Sequence, residues 1–199
     1  MDFTLKGLGD LLMLTVRTPQ AGAKRLLSFG LGSAERWQAL ALVVILSVIL
    51  TQLTVMMAPA DEAAMLGTML GSPLQSGLVQ AAVLVAMVFA VHLIGRAMGG
   101  LGDLNGAVLV VAWLEFTMVC LQGVQLIFGL LLPVLAPLVG VFGIGLFFWL
   151  LTQFVLVLHG FRSPAKVFVM IVISLFVLAF LLALLFGILG VTLVGGNNV

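Results

Sequence analysis

Ionisable side chains set deep in apolar sequence are the places where chemistry could sit, and this chain offers few of them. Glu115 is the one charged residue well inside a long apolar run, which spans 107–132. At 1.5 Å per helical residue it lies roughly 12 Å from the start of that run. A bare carboxylate there is costly, so it must be neutral or paired. Two chemistries remain open. One is a proton or cation site. The other is a protonated carboxyl hydrogen-bonded to Gln52, Gln153 or a backbone carbonyl. On a helical wheel Met118, Gln122, Gln125 and Gly129 share a narrow stripe with Glu115, while Trp113 points the opposite way. His92, near the end of the preceding apolar run, is the nearest ionisable neighbour. Reflecting the hairpin about Leu101 sets Met87 opposite Glu115 and His92 just over a turn lower. Glu115, Gln122, Gln125 and His92 are therefore the candidate intramembrane polar site.

Other chemistry finds little support. There is no His-Glu-x-x-His, Gly-x-Ser-x-Gly or Walker loop, and no cluster of metal ligands. Cys120 stands alone, so it builds neither a disulfide framework nor a zinc spacing, and it reads as a small apolar residue. Gly-Leu-Gly-Asp occurs twice, ending at Asp10 and at Asp103. The same pattern marks intramembrane aspartyl proteases, which need two carboxylates sharing a proton. Here both aspartates fall in turn-like or interfacial segments, and the second span supplies no partner aspartate. Asp103 reads instead as a turn residue or helix cap ahead of the third span. His159 and Arg96, at span ends, read as headgroup-level anchors. The expectation is a protein that is not an enzyme, with no catalytic residues, cofactor, metal or nucleic acid.

The elements that must position this polar stripe follow from composition. Of 199 residues, 63% are hydrophobic and 8% charged. A soluble domain needs about a quarter of its residues charged, so the solvent for most of this chain is lipid. Runs of ~20 apolar residues cross the ~30 Å hydrocarbon core as helices. Five are expected, at about 39–57, 78–95, 107–132, 138–158 and 167–194, giving an all-α, five-helix transmembrane bundle over 37–199. Ala58 to Gly77 reads as a loop, and Pro133 to Pro137 as a tight turn. Ala58-Pro59-Ala60 has the small residues of a signal-peptide cleavage site, but the segment before it is far too long for one. Ser47, Thr51 and Thr54 of the first span, and Gly140, Gly143, Gly145, Thr152 and Gln153 of the fourth, should pack inward against the stripe of the third.

Residues 1–36 are too polar to span. As a helix they set Leu8, Leu11, Leu12 and Val16 on one side and Lys6, Asp10 and Arg17 on the other. Thr18-Pro19 reads as a helix start, and Gly30 and Gly32 as its end. Two placements stay open for these helices. They lie at headgroup level, with Lys6, Arg17, Lys24 and Arg25 toward anionic lipid, or they pack on the ends of the spans.

Charge sets the orientation. The N-terminal segment holds five basic residues, the hairpin at 96–106 holds Arg96, and that at 159–166 holds Arg162 and Lys166, which accounts for all eight. Every one falls on the same side of the alternating spans. The positive-inside rule then puts the N-terminus in the cytoplasm and the C-terminus outside, and the expected setting is a cytoplasmic (inner) membrane.

Three local features resemble the Yip family of Ypt/Rab-interacting membrane proteins, in its bacterial form. They are the basic lead-in Arg17-Thr-Pro-Gln-Ala-Gly-Ala-Lys-Arg-Leu-Leu27, the hairpin with Gly99, Gly100 and Gly102, and the basic turn Gly160-Phe-Arg-Ser-Pro-Ala-Lys166. The resemblance covers most of the chain. It implies a five-span helical protein with a cytoplasmic N-terminus and no catalytic residues. The Asp-Leu-Tyr-Gly-Pro motif of eukaryotic members is missing, since the chain has no tyrosine, so Rab binding does not carry over. The expected role is membrane organisation, or that of an accessory scaffold for other membrane proteins, with lipid and other membrane proteins or further copies of itself as partners. The alternative is a small transporter or channel subunit with Glu115 on a polar path.

Overall fold

A computed structural model describes residues 4–188, less the side chains of residues 69, 178, 179 and 181–188. Among the described residues every regular element is helical. Two short helices, α1 (Leu5–Arg17) and α2 (Pro19–Leu27), lead into α3 (Ser33–Met57). Then come α4 (Ala60–Leu70), α5 (Pro73–Ala97), α6 (Leu104–Leu131), a single 3-10 turn (Pro133–Leu135), α7 (Ala136–His159) and α8 (Pro164–Ile188).

Local chemistry starts and stops these helices. Thr4 Oγ1 accepts from the Gly7 N–H to cap α1, and Asp103 Oδ1 accepts from the Gly106 N–H at 2.9 Å to cap α6, the cap expected of it. Pro19 opens α2 at a position where its missing N–H costs nothing. The Thr18 hydroxyl turns back to the Leu14 carbonyl instead of capping α2. Gly160, at φ +71°, ends α7 in the left-handed conformation.

The stretch 58–77, expected to be a loop, is mostly helix. Asp61 and Glu62 sit in the first turn of α4, where the helix dipole favours negative charge. Ser72 Oγ accepts from the Gln75 N–H and Pro73 occupies the first position of α5. That cap starts α5 a turn and more before its apolar run does.

Four helical segments, Ser33–Met57, Pro73–Ala97, Leu104–Leu131 and Pro133–His159, are long and apolar enough to cross a membrane. They match the first four expected spans. The expected fifth, 167–194, coincides with α8 as far as Ile188; its last residues, 189–194, lie outside the described residues.

The centre of the bundle is α6, which packs against α3, α7, α5 and α2. Gly106 to Leu114 is buried around its whole circumference. The buried core is one-sided along the helix axes. It takes Leu40 and Val43 in the first half of α3, Leu84, Val88 and Val91 from the middle of α5 onward, Leu150, Leu151, Phe154, Val155 and Leu156 late in α7, and Val167 and Ile171 early in α8. These stretches all belong to the end of the bundle that holds every lysine and arginine. At the opposite, acidic end, α6 beyond Gly123 has no buried residue.

The apolar face of α1 is occupied by protein. Leu11 is buried and Leu8, Leu12 and Leu14 pack on the core. Leu5, Met13 and Val16 remain exposed, so Val16 departs from the face assigned to it. Of the two placements left open for these helices, contact with the span ends is present.

Candidate functional site

The polar stripe of α6 meets partners from two neighbouring helices. Gln80 of α5 donates from Nε2 to Glu115 Oε1 at 2.7 Å. Ser47 of α3 is buried and lies beside the same carboxyl. Two turns on, Gln122 Nε2 donates to Thr51 Oγ1 at 3.3 Å. Gln125 faces Gly140 of α7 so closely that a Cβ there would come within 3.2 Å of its Nε2. Glu115, Gln122 and Gln125 are thus brought together along one wall, with neutral donors rather than cations around the carboxyl.

His92 does not join them. It falls near His159 and Arg96 at the basic end, and its Nδ1 is buried without a hydrogen-bond partner. Gln153 is also committed elsewhere, accepting from Gln20 Nε2 of α2 at 2.7 Å. The partners expected for Glu115 are therefore replaced by Gln80 and Ser47. The reflection about Leu101 misplaced α5 along α6, pairing Glu115 with Met87 where the structure pairs it with Gln80.

The stripe lines open space. A 340 Å³ cleft between α6 and α7 is walled by Glu115, Met118, Gln122 and Gln125 on one side and Gly140, Gly143 and Phe147 on the other. A larger cleft of 600 Å³ at the acidic end also has Gln122 and Gln125 in its wall, together with Thr54, Glu62, Gly129 and Pro133. Those two amides stand in the walls of both spaces. A third of 210 Å³ lies between α3 and α5, at Ser47, Thr51 and Gln80.

Two further constructions hold the basic end, and sequence reasoning missed both. His159, read as a surface anchor, is 2% exposed. Its Nδ1 accepts from the Gly102 N–H at 3.2 Å, and its Nε2 lies 3.0 Å from the Val91 carbonyl. A backbone N–H can only donate and a carbonyl only accept, so the ring is neutral with its proton on Nε2. A Cβ on Gly95, Gly100 or Gly102 would run into this ring, which stacks on Phe161 with centroids 5.5 Å apart. The glycines of the 96–106 hairpin are the room that one imidazole needs. Their bunching in sequence was the available signal, together with a histidine at the far end of α7. The second construction is Trp113, whose Nε1 donates to the buried Thr15 Oγ1 at 2.9 Å. It faces away from the Glu115 stripe, and α1 receives it.

With this geometry set out, comparison with known proteins is informative. The family model of the Yip1 domain matches residues 15–185. The chain belongs to the Yip family. The match begins at Thr15, the residue that accepts from Trp113, and runs into α8, so it takes in both the N-terminal clamp and the bundle. No curated protein and no solved structure matches this Yip protein. Family membership and four long apolar helices make it an integral, multi-pass membrane protein.

Proposed function

We propose that this Yip protein is a non-enzymatic membrane platform, an organiser or scaffold for other membrane proteins, in a bacterial cytoplasmic membrane. Five spans occupy 37–199, with the N-terminus inside the cell and residues 1–36 at headgroup level. The observation that carries the reading is the asymmetry of packing. The 28 residues of α6 extend about 42 Å against a hydrocarbon core of ~30 Å. We place the surplus of roughly eight residues at the basic end, where Gly106 to Val111 is buried and α6 packs among α2, α3, α5 and α7. That end is densely buried, and it carries exposed Lys6, Arg17 and Lys24 with exposed Leu5 and Met13 beside them. Basic side chains beside anionic headgroups contribute about 1 kcal/mol each. Arg25 is half-buried with a partner inside the protein, so it adds less to this surface. The thinner acidic end leaves exposed apolar helix faces for other membrane proteins or further copies.

Reconstitution tests this. In vesicles containing anionic lipid the protein should melt several degrees higher than in neutral lipid. The triple substitution Lys6→Gln, Arg17→Gln, Lys24→Gln should remove most of the difference. Equal melting in both lipids overturns the headgroup reading. Crosslinking in native membranes should capture reproducible protein partners or homo-oligomers, and a solitary monomer that moves a solute would defeat the platform.

One observation favours a second reading, a small transporter or channel subunit: the α6–α7 cleft has Glu115 in its wall and shares Gln122 and Gln125 with the cleft at the acidic end. On that reading Glu115→Gln abolishes flux in reconstituted vesicles while the bundle still assembles. If flux is unchanged by Glu115→Gln while Glu115→Ala loosens the fold, the carboxyl holds helices together and moves nothing.

A further inference from the structure

The two clefts that share Gln122 and Gln125 in their walls have a composition that selects a ligand. Their charged groups are Glu62 in the outer space and Glu115 in the inner. Every lysine and arginine of the chain lies at the other end of the bundle. The inner space is lined, apart from Glu115 and two carboxamides, by Met118, Ile144, Phe147 and similar apolar groups. Glycines at 140 and 143 keep it open, since a Cβ at either would press on Gln125 or Leu121. At 340 Å³ it falls within the ~300–1,000 Å³ of ordinary small-molecule sites.

We propose that the α6–α7 cleft is a binding site for a lipophilic organic cation, a substituted ammonium with an apolar body, that enters past Glu62 and seats its charge against Glu115. The physical case has three parts. Gln80 and Ser47 supply only neutral donors to the Glu115 carboxyl, so the cluster holds no counter-ion for its ionised form, and a bound cation supplies one and draws the carboxyl into that form. The aromatic face of Phe147 and the polarisable sulfur of Met118 suit an alkylammonium, which is weakly hydrated and favours such surfaces. An anion would meet two carboxylates and no cation, and a neutral apolar molecule would leave Gln122 and Gln125 facing it without gain.

The site stands independently of the platform reading, because it requires binding of a small cation and neither a protein partner nor flux. It is tested on the full chain in nanodiscs by calorimetry, using benzyltrimethylammonium and its uncharged isostere neopentylbenzene. The cation should bind at least tenfold tighter than the isostere. Glu115→Gln should remove that preference while the protein melts within a few degrees of wild type, since an amide keeps the hydrogen bond to Gln80. Gly143→Leu should weaken both probes by filling the space. Should either variant fail to fold, Gln125→Cys in a Cys120→Ala background gives a second measurement. There, a cationic methanethiosulfonate should react several-fold faster than an anionic one of the same size. Equal affinity for cation and isostere, full cation binding by Glu115→Gln, or equal reaction with the two reagents would each overturn the assignment.

Discussion

At the scale of single residues, His159 explains the most. One neutral ring bridges three helices, because Val91 lies in the last two turns of α5, Gly102 precedes α6 and His159 itself ends α7. Its ring also needs Gly95, Gly100 and Gly102 to have no side chain. Two substitutions separate the bond from the space. His159→Ala strands a buried N–H and a buried carbonyl and leaves a cavity, which costs about 2–5 kcal/mol. Gly100→Ala keeps every partner but drives a methyl into the ring and the Gly95 carbonyl, costing about 1–3 kcal/mol by overpacking. Thermal melting in detergent should rank them in that order, both well below wild type. A Gly100→Ala protein as stable as wild type would mean the hairpin yields easily and the cradle does not constrain it. Reading this residue as a surface anchor was an error of geometry. Its position at a span end was visible in sequence, but its direction depends on α5 and α6 closing over it.

At the scale of elements, α1 and α2 are clamped to α6 through a chain of close approaches. Gly22 lets α2 lie against Thr15, which a Cβ would strike at 2.7 Å. Thr15 in turn accepts from Trp113, and Gln20 of α2 reaches Gln153 of α7. A buried neutral hydrogen bond contributes about 0.5–1.5 kcal/mol net. A double-mutant cycle over Thr15→Val and Trp113→Phe should therefore return a coupling of about 1 kcal/mol. It should also raise protease sensitivity before Ser33, with the spans intact. Zero coupling would make the two residues neighbours without an energetic link. Much of this level was legible in sequence. The central place of α6, the cap at Asp103 and the inward stripe through Gln122 to Thr51 follow from hydrophobic period and cap chemistry, which are local. Gln80 as the partner of Glu115 was not legible, because the stagger of α5 against α6 depends on how the 98–103 loop folds around His159. The early start of α5 at Ser72-Pro73 was legible, but Asp61, Glu62, Pro73 and the glycines of 58–77 read as the marks of a loop.

At the scale of the whole molecule, packing and charge divide the chain the same way. The basic end is dense, sheathed and tied by His159 and Trp113, while the acidic end holds the clefts and Asp61 and Glu62. Lysine and arginine resist translocation far more than aspartate and glutamate do, so the dense end should face the cytoplasm and the clefts should open outside. Single cysteines in a Cys120→Ala background test this directly. In intact cells a membrane-impermeant maleimide should label Asp61→Cys at once and Arg162→Cys only after permeabilisation. A cysteine appended after Val199 should label like Asp61→Cys, because the five proposed spans would carry the tail to the far side. If the tail labels only in permeabilised cells while Asp61→Cys labels in intact ones, α8 does not cross and the bundle has four spans. If Asp61→Cys is itself protected, the orientation is reversed and the clefts open to the cytosol.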